Sequence, residues 1–510
     1  MKLGELVSTS NDVAGTRSRL KKRKLLADCL SSAAPEEIPV AVNYLSGALP
    51  QGKIGIGYAM LRDLDLPDAE PEPRLHLLDV NAAFDEIAAI TGAGSKARRQ
   101  ERLQRLFAGA TDDERDFLSR LVVGELRQGA LEAVLTEAVA DASELPAEAV
   151  RRAVMLTADP ARVAIAAFQG GIEALREYRL VPLSPLRPML AQSAASIDEA
   201  MESLGEAALE YKLDGARVQI HRCGDEVRIF SRALNDVTER LPEVVEATLE
   251  LPDTELVLDG DDLANDGRPL PFQVTMRRFG RRSDVDTLRE SLPLRVFLFD
   301  CLYANGDELI DAEYADRIAV LERLAPSPLR VPRLRTADPS AAAAFLSEAL
   351  SAGHEGIMAK SLTSRYAAGS RGADWLKIKQ AHTLDLVILA AEWGSGRRKG
   401  WLSNLHLGAR DPDSGEFVML GKTFKGLTDR MLEWQTKRLL ELEVERDGQV
   451  VRVRPELVAE IAVNEIQQSP QYPAGMALRF ARVKRYRQDK TAGEADTIET
   501  VRTLFARTAQ

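Results

Sequence analysis

The hydrophobic period of this sequence changes once, and that change limits the folds open to it. Up to about residue 180, apolar residues recur at the spacing of an amphipathic helix, as in SKARRQERLQRLFAG, DERDFLSRLVVGELRQGALEAVLTEAV and PAEAVRRAVMLTA. A Pro-rich stretch, VPLSPLRPMLA (Val181 to Ala191), then breaks the pattern and reads as a linker. From about residue 205 the period shortens to that of strands, with EYKLDGARVQIHR, EVRIFSR, TELVLDGDDLA, LRVFLFDCLYA, EGIMAKSL and DWLKIK separated by turns and occasional helical runs. After about 382 come LDLVILAAEWG, a DPDSG hairpin turn, one helix (TDRMLEWQTKRLLELE) and further short strands. The expected chain is multidomain: an all-α unit over residues 1–182, an α+β unit over 183–382, and a C-terminal OB-fold β-barrel over 383–510.

Charge is informative in its chemistry more than in its sum. The net charge of −11 speaks weakly against a nucleic-acid partner, since binding depends on local basic surfaces such as RSRLKKRK (17–24), KARR (96–99), RRFGRR (277–282), RRK (397–399) and RFARVKRYRQDK (479–490). Any one of these clusters also suits a plain solvated face. In the first, Leu20, Leu25 and Leu26 at helical spacing suggest an amphipathic helix. Of 67 basic residues only 16 are Lys, so Arg is the default cation. Between Ala97 and Arg398 the only lysines are Lys212, Lys360, Lys377 and Lys379. An ammonium can lose its proton and attack, or sit on phosphate as a point charge, whereas a guanidinium stays protonated. Those four positions are where lysine chemistry is to be sought.

Lys212 stands in EYKLDGARVQIHR. As a strand, this segment puts Glu210, Lys212 and Asp214 on one face, with Gly215 allowing close approach and Arg217 following as a fixed cation. Such a lysine can be a covalent nucleophile if desolvation or neighbouring cations lower its pKa. Alone, it could equally be a surface strand with a Lys–Glu pair.

The order of the later segments separates the two. Lys-x-Asp-Gly-x-Arg at 212–217 resembles the first signature of the covalent nucleotidyltransferases, and the others follow in sequence: Phe230-Ser231-Arg232, LeuAspGlyAspAsp at 258–262, Phe299-Asp300, Glu355 to Lys360, Trp375 to Lys379, and Arg479 to Arg482 running on to Asp489-Lys490. The chain is thereby similar to the ATP-dependent DNA ligases. The resemblance implies ATP as cosubstrate and Lys212 as the residue that takes up AMP. It implies that Glu210 reads the adenine amino group, that Phe299 stacks on the base (a plain core position would suit it too), and that Arg217, Arg232 and Arg371 contact ribose or phosphate. Lys377 and Lys379, two apart on one strand, would hold the phosphate chain, with Asp261 also at the nucleotide. Asp261 and Glu355 would hold Mg²⁺ or Mn²⁺, and Asp489 and Lys490 would orient the leaving pyrophosphate. Two positions depart from the pattern. Asp261 stands where Glu is usual, retracting the carboxylate by roughly 1.5 Å, and Ala481 stands where relatives often have Pro.

GlySerLysAlaArgArg (94–99) and GlyGluLeuArgGlnGly (124–129) resemble segments of the helical DNA-binding domain of cellular and archaeal-type ligases. This favours nicked double-stranded DNA with 5′-phosphate and 3′-hydroxyl ends as substrate, gripped through its backbone by a monomer that closes as a clamp. Capping enzymes, RNA-joining enzymes and a non-catalytic clamp with a degenerate core are the alternatives. No apolar run reaches the roughly 18 residues of a membrane span. Three scattered cysteines, Cys29, Cys223 and Cys301, suit a reducing cytoplasm, with nucleoid association when bound to DNA, and cannot build the four-cysteine zinc module of NAD-dependent ligases.

Overall fold

The computed structural model describes residues 1–508 except 127, 129–131, 265–274, 277, 280–288, 368–370 and 380–381. The basic segments at 124–129 and 277–282 therefore lie partly outside the described residues, as does the side chain of Arg371.

Among the described residues, ten helices run from Leu3–Gly15 to Pro160–Arg176 and enclose one core, from Leu3 through Phe84 and Phe117 to Leu175. Two details differ from the sequence expectation. The periodic run beginning DERDFL is two helices, Asp112–Val122 and Glu132–Ala142. The first stops because Gly124 N donates to Leu121 O and Glu125 N to Arg120 O, the paired closure of a Schellman end. In helix Arg19–Ser32, Leu20 is 76% exposed and does not join the apolar face. Lys22 is buried in its place and donates to Gln128 O at 2.9 Å. Gln128 in turn accepts from Ser10 at 2.7 Å, so a segment tied by polar contacts closes this domain.

The middle unit is two sheets packed face to face. Its strands are β1 (Leu190–Ser193), β2 (Ala207–Lys212), β3 (Ala216–Cys223), β4 (Glu226–Ser231), β5 (Glu255–Ala264), β6 (Leu294–Ala304), β7 (Asp307–Glu308), β8 (Arg333–Thr336), β9 (Gly356–Ser361) and β10 (Arg371–Lys379). One sheet has the order β1-β10-β9-β2-β8, the other β4-β3-β5-β6-β7. The chain passes from one to the other between Lys212 and Ala216. Between the sheets lies a core that includes Val257, Phe299 and Trp375, while Leu209, Tyr211 and Ile357 pack on the outer face of the first sheet, Tyr211 against Phe345. The C-terminal unit is built on a long strand, β11 (His382–Trp393), which pairs with β12 (Leu402–Arg410), β13 (Val450–Val453) and β14 (Val458–Val463). One helix, Asp429–Glu441, and a separate core from Leu384 to Val501 complete it. The layout is the multidomain one expected: helical, then α+β, then a small OB-type β domain.

The Pro-rich stretch is a strap as well as a connection. Pro182, Pro185 and Pro188 recur every third residue, and the residue after each is tied to β3. Leu183 N donates to His221 Nδ1 at 3.1 Å, Leu186 N to Gln219 Oε1 at 2.9 Å, and Arg217 donates to Met189 O at 2.6 Å. His221, Gln219 and Arg217 alternate along β3 and so share one face.

His221 Nε2 contacts Gln219 Oε1 at 2.8 Å while Nδ1 accepts from Leu183, which requires the neutral ring. Burial pushes its pKa from 6.5 down to about 3. The unfolded chain therefore binds more protons across that window, and stability declines as the pH falls from about 6.5 toward 3. We expect His221→Asn to flatten this decline by up to one proton, measured as the slope of unfolding free energy against pH in denaturant titrations.

Candidate active site

Cross-strand register assembles the site. Lys212 on β2 and Lys379 on β10 are both paired with Gly356 on β9, between them. Paired residues project to the same face of a sheet, so two ammonium groups stand over one rung with no side chain between them. The backbones of β2 and β10 are two strand spacings apart, about 9 to 10 Å. Gly356 cannot be replaced by a larger residue, since its φ is +143° and a Cβ would lie 2.1 Å from Ile378 O.

Glu355, the residue before that glycine, fills the gap. Its Oε2 lies 2.6 Å from Lys212 Nζ and 2.6 Å from Lys379 Nζ. Between two cations its carboxyl drops to about 2, although burial alone would raise it. On the far side the turn at Gly215 packs directly on β5, where a Cβ would meet Asp262 O at 2.6 Å and Asp261 Cβ at 3.5 Å. That close approach sets Asp261 beside Lys212. Burial raises the Asp261 pKa, against the pull of Lys212 and Arg217.

These carboxylates reverse one expectation. The sequence suggests a lysine whose pKa is lowered. Burial does act that way on Lys212, but Glu355, Asp261 and Asp214 outweigh it and hold the ammonium above the usual lysine value. Lys379 goes the other way, lowered by burial and by the charge of Lys212. Asp214 lies in the turn beyond β2, and burial and the nearby Glu355 push its carboxyl up to about 6.

Two rungs lie below. Next down are Lys377, Met358, Glu210 and Arg333, and below them Trp375, Lys360, Ala208 and Arg335. Here the site is aromatic and, around Glu210, Lys360 and Trp375, buried. Lys360 Nζ sits 4.3 Å from the ring centroid of Phe299, 4.7 Å from that of Tyr314 and 4.2 Å from that of Trp375. Burial lowers its pKa, opposed chiefly by Glu210. Arg217 grips Asp259 through two bonds, 3.0 and 2.5 Å, and its guanidinium lies 5.3 Å from the centroid of the same Phe299 ring. Tyr366 donates to the same Asp259 at 2.8 Å.

Of the residues expected from the sequence, Glu210, Lys212, Arg217, Asp261, Phe299, Glu355, Lys377 and Lys379 line this space between the sheets. Arg232 is exposed just beyond β4, outside these contacts, and Arg371 begins β10 with its side chain outside the described residues. Asp489 and Lys490 are not brought to Lys212. Lys490 pairs with Asp385 at 2.6 Å, and Asp489 with Arg487 at 2.7 Å, all within the C-terminal unit. From that unit it is instead Glu465 and Arg479, themselves paired at 2.7 Å, whose charges reach Asp214. No sequence signal singles out Tyr314, Arg333 or Tyr366, and Asp259 stands in the 258–262 segment with no role assigned to it. In a chain where Arg is the default cation, a functional Arg carries no distinguishing mark.

Among the described residues, no three His, Cys, Asp or Glu side chains converge as a ready-made metal cage. Around the two upper lysines, however, Glu355, Asp261 and Asp214 outnumber the ammoniums. A hard divalent cation that takes one or two carboxylates and completes its shell with phosphate and water fits that donor set. Also among the described residues, no helix is long and apolar enough to cross a membrane.

The chain is similar to known proteins along its length. The model of the ATP dependent DNA ligase domain matches residues 188–379, that of the ATP dependent DNA ligase C terminal region 398–490, and that of the DNA ligase N terminus 60–140. A probable DNA ligase from an Anaeromyxobacter species is 58% identical, covering 99% of this chain and 98% of the relative. Another from Mycobacterium marinum is 55% identical, covering 99% and 100%. The solved structure Pmar-Lig_PreS3, 19% identical, covers 94% of this chain and 99% of its own, with a TM-score of 0.62, and shares the fold.

Two outcomes are expected at the upper rung. Gly356→Ala should lower the melting temperature and separate Lys212 from Lys379, because backbone at Ile378 has to move. Competitive amine labelling across a pH series, read by mass spectrometry, should find Lys379 reactive at lower pH than Lys212; the opposite order would contradict the carboxylate argument.

Proposed function

Because the chain belongs to the ATP-dependent DNA ligase family of nucleotidyltransferases, we propose that it seals nicks in double-stranded DNA through a lysyl-AMP on Lys212. The observation that carries the reading is the upper rung, where two lysines face each other across a glycine and share one glutamate. Its span suits a phosphoryl group flanked by two cations, and phosphoryl transfer asks the protein mainly for alignment and charge.

In the first step the Lys212 amine attacks the α-phosphorus of ATP, a nitrogen–phosphorus bond forms, the bond to the bridging oxygen breaks, and pyrophosphate leaves. The resting ammonium must first give up a proton, which passes to solvent water. Glu355 is the group that most favours its charge, so turning Glu355 away from Lys212 releases the nucleophile. Glu355 and Asp261 would hold Mg²⁺ or Mn²⁺, which would supply charge neutralisation on the phosphates. Lys377 and Lys379 on one face of β10 would hold the phosphate chain. Glu210, Phe299 and Arg217 would receive base and ribose, with Arg232 and Arg371 as further phosphate or ribose contacts and Asp489 and Lys490 acting on pyrophosphate after a movement of the C-terminal unit. AMP then passes to the 5′-phosphate of the nick. That transfer breaks the nitrogen–phosphorus bond and frees Lys212, and the 3′-hydroxyl then attacks the 5′-phosphorus, forming the phosphodiester and releasing AMP.

This reading includes the division into units of residues 1–182, 183–382 and 383–510, a monomer closing around DNA, and a cytoplasmic, nucleoid-bound site of action. The helical unit would grip phosphates, so affinity should fall steeply with salt.

Incubation with α-labelled ATP and Mg²⁺ should leave acid-labile label on the wild-type chain after denaturing electrophoresis and none on Lys212→Ala. Label on the alanine variant would remove Lys212 from the nucleophile's role. Asp261→Glu, which extends the carboxylate by about one carbon–carbon bond, should lower the Mg²⁺ concentration needed for half-maximal labelling; an unchanged requirement would detach Asp261 from the metal.

A further inference from the structure

Glu210 is buried, and its two oxygens are used unequally. Oε1 accepts from Arg333 Nε at 2.7 Å, lies 2.6 Å from Arg333 Nη2, and accepts from the Tyr314 hydroxyl. Oε2 has Lys360 Nζ at 2.6 Å. A carboxylate has about four acceptor positions. Oε1 is saturated, while Oε2 retains one, next to the ammonium that lies against Phe299 and Trp375.

The surrounding groups fix this asymmetry. Arg333 is on β8 opposite Glu210, and its Nη1 also reaches Glu322 at 3.5 Å. The Tyr314 hydroxyl accepts from Lys360 at 2.9 Å, and its own proton is shared between Glu210 and the Phe299 carbonyl. With a phenol that burial keeps protonated and two cations at hand, Glu210 has no route to becoming a donor.

We propose that Tyr314 and Arg333, which lie outside the signature segments, set the purine that the site accepts by locking Glu210 as an acceptor with a single open position on Oε2. The inference rests on the reading of Glu210 as the base-facing carboxylate. A 6-amino purine offers that position a donor. A 6-oxo purine brings an acceptor against an acceptor in a buried site, where an unmet polar group is costly. Tyr314 and Arg333 touch Glu210 and not the base, so they are positioning residues.

The test compares self-labelling of the full chain with α-labelled ATP and α-labelled ITP, whose bases differ in the amino and oxo groups at position 6. Wild type, Tyr314→Phe, Arg333→Met and Arg333→Lys are measured, each checked for a cooperative melt. Wild type should strongly prefer ATP. Tyr314→Phe and Arg333→Met should lower the ATP/ITP ratio of kcat/KM by about tenfold or more, mainly through a higher KM for ATP, and Arg333→Lys should recover part of the ratio. Tyr314→Phe removes only a hydroxyl, so it keeps the test open if Arg333→Met does not fold. An unchanged ratio in a folded Tyr314→Phe or Arg333→Met, or equal losses for both nucleotides through kcat, would overturn the proposal. Failure of wild type to take label from ATP would instead overturn the underlying assignment.

Discussion

The absence of a side chain at Gly356 is the constraint on which the site depends. In any sheet, residues on neighbouring strands at the same level compete for the space above the rung. Here the central strand of three contributes nothing to that space, so the ends of two lysines approach from either side and Glu355 enters between them. The positive φ of Gly356 and its contact with Ile378 O make the vacancy a property of the backbone. A second close approach, Gly215 on β5, ties the other sheet to the same spot and brings Asp261 within the field of Lys212. Both depend on backbone packing, so the charges above are held by the least adjustable part of the molecule.

Moving down the rungs, the electrostatics change character. At the top, carboxylates exceed ammoniums and the groups are half-exposed, ready to exchange partners. Lower down, three charge pairs are buried with fixed partners: Arg217 with Asp259, Lys360 with Glu210, and Arg317 with Asp300 at 2.8 Å. Buried pairs of this kind add little net stability, since desolvation offsets much of the attraction, but breaking one strands the other charge. They are better suited to specifying geometry. The site thus combines a changeable end with a rigid one.

Much of this was legible in the sequence, for a compositional reason. A chain that writes Arg for generic charge makes its few central lysines conspicuous, and Lys212, Lys360, Lys377 and Lys379 all fall on one face of one sheet. The period change announced helical and strand-built units, because periodicity is local. What stayed hidden is what register decides. Nothing near Arg333 or Tyr314 in sequence points to Glu210, more than a hundred residues away, and neither residue type is rare here. The protonation of Lys212 is hidden for the same reason: its flanking residues are visible in sequence, but Glu355 and Asp261, whose charges raise its pKa, arrive from other strands. Likewise, the periodic run interrupted at Gly124 looked continuous because the bonds that close the helix depend on geometry, not on apolar spacing.

The Pro-rich strap alters what counts as the nucleotide-binding unit. Its last tie, Met189 O, is held by Arg217 and, through Met189 N at 3.1 Å, by Tyr366, the two residues that also hold Asp259. Upstream, Arg187 pairs with Glu132 at 2.7 Å and donates through its backbone to Met155 O at 3.0 Å, both in the helical unit. A fragment cut immediately before β1 would keep every signature residue yet lose the outer ties of the segment that braces Arg217. The brace on Arg217 therefore begins upstream of the first strand, at the strap, and the helical unit has a mechanical path to Arg217 and Asp259 that requires no contact with nucleotide.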